Sequence, residues 1–271
     1  MTEKVLAPVH PNIGLELEYT RLLNKMLEQM HKSVMWWIMS AYKANLPHTV
    51  TMALDESSAV KLEKIIRKLT RYWNKHFYIA AKKLAKYFAE KSTQHANNSL
   101  ENILKASGFA IQFKLTPAEN DVLRATIQAN VALITKMSQQ HLKEIEGMVM
   151  RSVQQGRNVG DLAKELESAF AMSKKRSRLI ARDQNNKATA AIVKVRQNEL
   201  NIKQAKWLHS HAGKKPRPTH VAMNGKLYDV DKGMWDENAH GKGKGDWVWP
   251  GELINCRCVS RSVINVLNIG K

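Results

Sequence analysis

The sequence predicts an α+β fold, with long helices over the N-terminal two-thirds of the chain and a small β-rich module at its C-terminal end. Apolar residues recur at three- and four-residue steps from about Leu15 to about residue 203, which is the period of amphipathic helices. From Trp207 onwards, glycine and proline become frequent and the sequence breaks into short segments typical of strands. We therefore divide the chain into a long-helix region (1–115), a helical connector (116–206) and a β-rich module (207–271).

The long-helix region contains one strongly amphipathic segment with a basic flank. Its predicted buried face consists of Leu62, Ile65, Leu69, Trp73, Phe77, Ala80, Leu84 and Tyr87. Lysine and arginine residues repeat at nearly the same spacing, mostly one residue earlier, so a basic stripe should run beside the apolar one. Such a stripe is typical of the solvated shoulder of a buried face, and it also suits contact with a polyanion.

The longest apolar run of the chain is the stretch VMWWIM. It consists of Val34, Met35, Trp36, Trp37, Ile38 and Met39. This run is too short to cross a bilayer, which takes ~20 residues of helix. An exposed apolar patch usually marks a partner site, whereas the same residues in a core need no partner. The sequence leaves both interpretations open.

The helical connector begins with a clear capping signal. Thr116 is predicted as the N-cap, Pro117 as the first helical residue, and Glu119 as the residue that returns to the amide of the cap. This helix should end near Gly156 and carry His141 on its apolar face as a core histidine. Two further helices are predicted, a short one capped by the residues from Asn158 to Asp161 and a basic one capped by Ser173.

The charge balance favours a polyanionic partner. The chain has 43 Lys and Arg against 24 Asp and Glu, a net charge of +19. Residues 173–206 hold ten of the basic and two of the acidic residues, a net +8, so the charge is segmental. The candidates for phosphate contact are Lys174, Lys175, Arg176, Arg178 and Arg182. The first twenty residues lack the features of a secretory signal, so we expect a soluble protein made in the cytoplasm.

The β-rich module is predicted to be built on turns. Asn224 and Gly225 stand between the segments HVAM and KLYDV, where they predict a type I′ hairpin. In KKPRPTH, two prolines stiffen the backbone that presents Arg217 and His220. In the extended stretch after Pro250 and Gly251, Cys256 and Cys258 should point to one side and Arg257 to the other.

Two interpretations of the cysteines stay open. Two thiols on one side can share a metal ion, and a structural zinc site would draw on His220, Cys256 and Cys258 with His209 or His211. The signal is incomplete because no C-x₂-C pair or H-x₃₋₅-H spacing is present. Alternatively, the cysteines are small buried groups that pack under Trp247 and Trp249. A disulfide between such near neighbours would close a strained ring, so we do not expect one.

An enzymatic function is the competing class. A metal-dependent nuclease or a thiol hydrolase would use His220 with Cys256 or Cys258. The sequence identifies neither a third, orienting group nor an oxyanion hole for such a site. We therefore assign no catalytic residues and expect a protein that is not an enzyme.

The C-terminal motifs resemble the phage Mu F-like head-morphogenesis family, the minor head proteins of tailed bacteriophages. The matching features run in order through WLHSHAGKKPRPTH, VAMNGKLYD and WPGELINCRC. They comprise Trp207, Ser210 and Gly213; Arg217, Pro218 and His220; Asn224 and Gly225; and Pro250, Gly251, Cys256, Arg257 and Cys258. The resemblance covers about Asn158 to Ile264. One departure weakens a metal site: many members carry an aspartate where this chain has Lys214 and Lys215.

The resemblance implies a structural role inside a phage head. Proteins of this kind are present in few copies, attach to the portal and lie close to packaged DNA. We therefore expect the portal protein, other head proteins and DNA as partners, with no membrane contact. The implied location is the head interior near the portal vertex, after assembly in the host cytoplasm. VMWWIM is the predicted portal contact.

Overall fold

The computed structural model describes residues 3–44, 58–156, 159–212 and 215–265, and it confirms the predicted α+β class. Four long helices precede a module of short strands. Their order is β1 (Glu3–Val5), α1 (Ile13–Ala44), α2 (Ser58–Ala106), α3 (Pro117–Gln154), α4 (Val159–Glu199), β2 (Gln204–Leu208), α5 (Pro218–Met223), β3 (Leu227–Asp229), β4 (Met234–Asp236), β5 (Asp246–Val248) and β6 (Val259–Asn265). None of the described helices is both long and apolar enough to span a membrane.

The chain forms two compact units that each combine distant segments. The first unit contains Met1–Glu16, Lys86–Ile127 and Ala181–Lys271, and the second contains Leu17–Ala85 and Gln128–Ile180. Helices α2, α3 and α4 each contribute residues to both units. The division into three regions at residues 115 and 206 stays a prediction.

The first unit contains an antiparallel sheet made from both ends of the described chain. Its strand order is β1-β6-β2-β3, and a separate two-stranded ribbon pairs β4 with β5. Strand β6 lies between β1 and β2, with Val263 opposite both Val5 and Gln204. A cluster around Leu6, Val193 and Ile264 fills the space between sheet and helices. The sheet thereby fixes the segment before β6, which carries both cysteines.

Helix α2 buries a face that differs by about one residue from the predicted one. Over the length of the predicted stripe, its buried residues are Leu62, Ile66, Leu69, Phe77, Ala81, Ala85, Phe88 and Ala89. The predicted stripe favoured the larger Ile65, Leu84 and Tyr87, which are only half-buried. Because Ala81 and Ala85 have small side chains, the apolar pattern did not indicate that they are buried. The basic residues beside the stripe are mostly exposed, as its solvated shoulder requires.

The start of α3 follows its capping signal, with one change. The Thr116 hydroxyl accepts a hydrogen bond from the Glu119 amide at 3.2 Å, which confirms the N-cap. The Glu119 carboxylate was expected to return to the amide of the cap, but it bonds Asn97 at 2.6 Å and Arg196 at 2.6 Å. These partners lie on α2 and α4, so the capping turn also joins three helices of the first unit.

The prediction of two helices after Gly156 was wrong, because α4 runs without a break from Val159 to Glu199. Ser173 lies inside this helix, where its hydroxyl bonds the His141 Nδ1 at 2.9 Å. No glycine or proline interrupts the sequence between Asp161 and Glu199, so nothing ends the first predicted segment. A serine in a helix interior needs a partner for its hydroxyl, and here a tertiary contact supplies it.

Candidate functional site

His220 stands at the centre of a buried cluster with both cysteines. Its Nδ1 atom lies 3.4 Å from the Cys256 Sγ and 3.7 Å from the Cys258 Sγ. All three residues are buried, and their ligand atoms lie within 4.8 Å of one another. The cysteines are free thiols. The structure thus brings together His220, Cys256 and Cys258 from the predicted set, and the two thiols share one side as the x-C-x-C-x alternation requires.

Asp236 completes the cluster, and sequence reasoning missed it. The His220 Nε2 atom lies 3.2 Å from the Asp236 Oδ2, and Asp236 is fully buried at the end of β4. This carboxylate is the orienting group that the sequence did not identify. Asp236 is sixteen residues from His220 and belongs to a strand with no clear alternation, so no local pattern pointed to it.

His220 is positioned by a short helix and not by a hairpin. The segment HVAM was predicted as a strand before a type I′ turn, but it forms most of α5, with Pro218 at the helix start. Asn224 has a negative φ of −54° and Gly225 a positive φ of 79°, which is the pattern of a type II turn. The hairpin prediction was therefore wrong, because the proline start favours helix over strand.

The Asn224 side chain has a second role at the site. Its Oδ1 atom accepts a hydrogen bond from the His209 amide at 2.9 Å, so the turn after α5 holds the end of β2. The backbone continues this contact, since the Gly225 amide donates to the Trp207 carbonyl at 2.7 Å. Trp207 is fully buried, and its ring lies edge-on to His220 at 5.0 Å between centroids.

Helix α4 anchors the cysteine segment from the other side. Asp183 accepts a hydrogen bond from the Asn255 amide at 2.6 Å, and Asn186 donates to the Cys256 carbonyl at 3.1 Å. Asn255 itself has a positive φ of 59°, which turns the chain into the cysteines. Two buried polar residues on one helix thus fix the backbone on which Cys256 and Cys258 stand.

The Pro250-Gly251 step is a turn packed directly against the same helix. Gly251 has a φ of 87°, and the Glu252 amide donates to the Trp249 carbonyl at 3.2 Å, as in a type II turn with proline first and glycine second. A Cβ atom on Gly251 would lie 2.8 Å from the Ala190 Cβ. Glycine is therefore needed here for its backbone conformation and for its small size.

A polar cleft of about 480 Å³ opens above the cluster. Its lining includes His209, Lys215, Arg217, Arg257 and the three clustered residues. Arg217 donates to the Ile254 carbonyl at 3.0 Å and Arg257 to the Ala212 carbonyl at 2.6 Å, so both arginines tie the loops around the cleft. Gly213 and Lys214, two residues named in the sequence motif, lie outside the described residues.

His209 and His211 lie beside the cluster without joining it. Their rings are perpendicular with centroids 4.5 Å apart, and the His211 amide donates to the His209 Nδ1 at 3.2 Å. Neither belongs to the group of close ligand atoms among the described residues. Burial, followed by the charges of His211 and His220, lowers the pKa of His209. His209 is therefore expected to be neutral at pH 7.

The electrostatics of the two thiols are unequal. The Cys258 thiol donates to Cys256, which, with the His220 contact, lowers the pKa of Cys256. The same hydrogen bond and burial raise the pKa of Cys258. The pair therefore favours a single negative charge, carried by Cys256. Such a site can bind a soft cation, or present a thiolate to a reactive carbon.

The cysteines also belong to the hydrophobic core of the module. They share a cluster with Ala205, Trp207 and Tyr228, and the half-buried Trp249 packs against it. Trp247, the other tryptophan expected above them, is 38 % exposed and pairs instead with Trp235 across the ribbon. The cysteines therefore pack in the core with Trp249 but not with Trp247. Packing alone does not explain why the His220 imidazole approaches both sulfur atoms.

Residues 143–261 match the family model described as phage Mu protein F like protein. The similarity to the phage Mu F-like family thus covers somewhat less than half of the chain. The matched segment includes the whole of α4, the strands β2 to β5 and the whole His220 cluster. This result confirms the resemblance that the sequence motifs indicated between about Asn158 and Ile264.

One relative is similar to a larger part of the chain. An uncharacterized protein of Haemophilus influenzae is 25% identical over 211 residues, which is 76% of this chain and 44% of the relative. The chain thus spans less than half the length of that protein. No solved structure matches the chain significantly.

The basic candidates for phosphate contact lie on α4. Lys174, Lys175, Arg176 and Arg178 are exposed, whereas Arg182 is half-buried. The Lys174 ammonium lies 5.4 Å from the centre of the Phe170 ring, so part of its side chain covers an aromatic surface. Four cations within five positions present charge to more than one side of the helix.

The VMWWIM stretch of α1 divides between core and surface. Val34 and Ile38 are buried in the second unit, so they belong to its core and are not available to a partner. Trp36 and Trp37 are 62% and 49% exposed, with perpendicular rings whose centroids are 4.7 Å apart. Met35 and Met39 are half-buried. The core interpretation therefore applies to Val34 and Ile38, whereas a partner contact at Trp36 and Trp37 stays a prediction.

Proposed function

We propose that this chain is a minor capsid protein of a tailed bacteriophage, bound to the portal inside the head and in non-specific contact with packaged DNA. The observation that carries the proposal is the phage Mu F-like segment at residues 143–261, which ends in the His220 module. In this proposal the long helices supply the contacts with the portal and DNA. The module supplies a rigid shape, and other head proteins are further partners.

The DNA contact rests on exposed positive charge. The net charge is +19, and the exposed cations Lys174, Lys175, Arg176 and Arg178 are consecutive or nearly so on α4. Lysine and arginine contacts to phosphate position a protein on DNA without reading its sequence. Binding should therefore be equally strong for unrelated duplex sequences and fall steeply with salt.

The portal contact rests on the tryptophan pair of α1. Trp36 and Trp37 expose large apolar rings beside the half-buried Met35 and Met39. Tryptophan and methionine are enriched at the centres of protein interfaces, where tryptophans often contribute most of the binding energy. Replacing both tryptophans by serine should remove the contact, while the core residues Val34 and Ile38 keep the helix in place.

The experiment that tests this function uses the phage that encodes the chain. Purified particles should contain the protein at the portal vertex, and a map of the particle should locate it there. The Trp36→Ser/Trp37→Ser variant should be absent from particles while it still binds duplex DNA. As a matched control, Trp235→Ser/Trp247→Ser removes the other exposed tryptophan pair and should leave incorporation unchanged. Particles of the native phage that lack this chain, or a tryptophan variant that enters particles like the native chain, would contradict the proposal.

A thiol hydrolase is the second candidate, and one observation favours it. His220 contacts Cys256 through one ring nitrogen and Asp236 through the other, with 3.4 Å from sulfur to imidazole and 3.2 Å from imidazole to carboxylate. This order of nucleophile, base and orienting acid is that of hydrolytic triads. It predicts turnover of an activated ester that is lost in Cys256→Ser and kept in Cys258→Ser. Equal activity in both variants and in the native chain would remove this candidate.

A further inference from the structure

We propose that the His220 Nδ1 atom and the sulfur atoms of Cys256 and Cys258 bind one zinc ion, with a fourth coordination position open to the cleft above them. The three residues are buried, and their ligand atoms form one close group. This inference goes beyond the proposed head function and stands or fails separately from it, because it concerns only the local chemistry of the module.

The distances between the ligand atoms fit a tetrahedral metal ion. A zinc ion with Zn–N of about 2.0 Å and Zn–S of about 2.3 Å, at tetrahedral angles, places nitrogen and sulfur ~3.5 Å apart. The observed separations from the His220 Nδ1 are 3.4 Å to Cys256 and 3.7 Å to Cys258. The three side chains therefore already stand at the spacing that one shared ion needs.

In the metal-free site, hydrogen bonds engage the imidazole nitrogen with one thiol only. The Nδ1 atom of a neutral imidazole has one lone pair, so it can accept one S–H group well but not two. Both sulfur atoms nevertheless approach this nitrogen, and both are buried. Without a metal the Cys258 thiol donates to Cys256 instead, whereas a shared metal ion uses the nitrogen and both sulfurs at once.

Asp236 sets His220 in the form that binds a metal. If Nε2 carries the proton and donates it to the Asp236 carboxylate at 3.2 Å, Nδ1 has its lone pair free and directed at the sulfurs. A carboxylate behind a ligating histidine is the usual outer partner of zinc sites, where it fixes the tautomer and the ring orientation. The fully buried Asp236 has this relation to His220.

The fourth position faces the cleft and not another protein ligand. His209 lines the cleft, but it lies outside the close group of ligand atoms. The cleft is also lined by Lys215, Arg217 and Arg257, whose positive charges favour an anionic or neutral fourth ligand. Water or a small anion fits this position, so the ion would be held by three protein atoms.

The test is a cobalt titration of the full chain, purified in reductant so that both thiols stay reduced. Cobalt(II) should bind with a stoichiometry of one, give the near-ultraviolet absorption of thiolate-to-cobalt charge transfer, and be displaced by zinc. Cys256→Ser and Cys258→Ser should each weaken binding at least tenfold. His240→Ala, which removes an exposed histidine of the same module, is the matched control and should bind like the native chain.

Two further measurements protect the test against misfolded variants. Asp236→Asn keeps the shape of the side chain and should weaken cobalt binding by about 10- to 100-fold without changing its stoichiometry. His209→Ala should leave affinity and absorption unchanged, because His209 is not a ligand in this proposal. A folded native chain that binds neither metal, or a Cys256→Ser/Cys258→Ser variant that binds cobalt as tightly as the native chain, would overturn the site. Loss of binding in His209→Ala would overturn the open fourth position.

Discussion

At the scale of single residues, His141 shows how burial determines a titration. It is almost fully buried in the second unit, with the Ser173 hydroxyl at 2.9 Å and the His31 ring at 6.3 Å between centroids. His31 stacks on Phe170 and pairs with Glu167 at 3.1 Å. Burial first, and the charge of His31 second, lowers the pKa of His141 from 6.5 to about 4. The folded state therefore keeps His141 neutral where the unfolded chain would protonate it.

This difference predicts a loss of stability in weak acid. Below pH 6.5, His141 binds a proton in the unfolded chain but not in the folded one. The free energy of unfolding should therefore fall as the pH drops from 6.5 towards 4. The expected contribution between pH 7 and pH 5 is about 2 kcal/mol. Urea unfolding of the native chain and of His141→Gln at both pH values measures it. The glutamine variant should lose about 2 kcal/mol less, and an equal loss in both proteins would contradict the assignment.

Arg196 is a deeply buried charged residue of the first unit, as His141 is a deeply buried titratable residue of the second. It is 1% exposed, and its guanidinium pairs with Glu119 and Glu199, each at 2.6 Å. It also donates to Asn97 at 2.9 Å and lies over the Phe113 ring. Glu119 is as deeply buried as Arg196. Removing the cation would thus leave a buried carboxylate with only an amide as partner.

We predict that Arg196→Met lowers the free energy of unfolding by about 3–5 kcal/mol, because it strands the Glu119 charge. Arg196→Met/Glu119→Gln should recover most of this loss, since both charges are then absent. The control is Lys203→Met, which breaks the exposed pair with Asp231 at 3.1 Å and should cost less than about 1 kcal/mol. Urea midpoints of the four proteins give the comparison. A loss in the single arginine variant no larger than that in the control would show that the buried pair adds nothing to stability.

At the scale of elements, the turn Trp249 to Glu252 determines where the cysteines lie. Gly251 has a φ of 87° and lies against Ala190 of α4. Gly225 has a similar φ of 79°, but a Cβ atom there would meet nothing within 4 Å. The two glycines thus share the backbone requirement, and only Gly251 has the packing requirement as well.

We predict that Gly225→Ala destabilises the protein by ~1 kcal/mol through backbone strain alone. Gly251→Ala should cost ~1–3 kcal/mol more, because its Cβ atom would lie 2.8 Å from that of Ala190. The variant Gly251→Ala/Ala190→Gly should recover part of the second cost after allowance for the helix effect of glycine. Unfolding free energies in urea decide between the cases. Equal costs at the two glycines would show that the turn does not pack tightly on α4.

The sequence predicted those elements whose signals are local. The Thr116 cap and the shared side of Cys256 and Cys258 each depend on neighbours within a few residues. The strand β1 and the Asp236 partner of His220 were not predicted, because pairing with β6 and a contact over sixteen residues leave no local pattern. The hairpin predicted at Asn224 was wrong for a different reason, because two local signals competed. The helix start at Pro218 outweighed the strand-like segment HVAM.

At the scale of the whole molecule, the positive charge lies on several helices and not on one face alone. The exposed cations of α4 are Lys174, Lys175, Arg176 and Arg178. Helix α2 carries a comparable exposed set in the same unit, which includes Lys64, Lys68, Arg71 and Lys75. The two sets carry equal charge, so removing either one should weaken a general electrostatic attraction to DNA by the same amount. Removing the set that contacts the phosphate backbone should have the larger effect.

We therefore predict different salt dependences for two variants of equal net charge. Each cation that contacts duplex DNA adds ~0.9 to the slope of the logarithm of the binding constant against the logarithm of salt concentration. Replacing Lys174, Lys175, Arg176 and Arg178 by glutamine should lower that slope by up to about 3.6, because these residues are the proposed phosphate contacts. The same replacement of Lys64, Lys68, Arg71 and Lys75 should weaken binding slightly and leave the slope nearly unchanged. Fluorescence anisotropy of labelled duplexes of two unrelated sequences, over a range of salt concentrations, provides the slopes. If the slope decreases equally in both variants, the α4 cations are not a specific DNA contact, and the total charge of the chain causes the attraction.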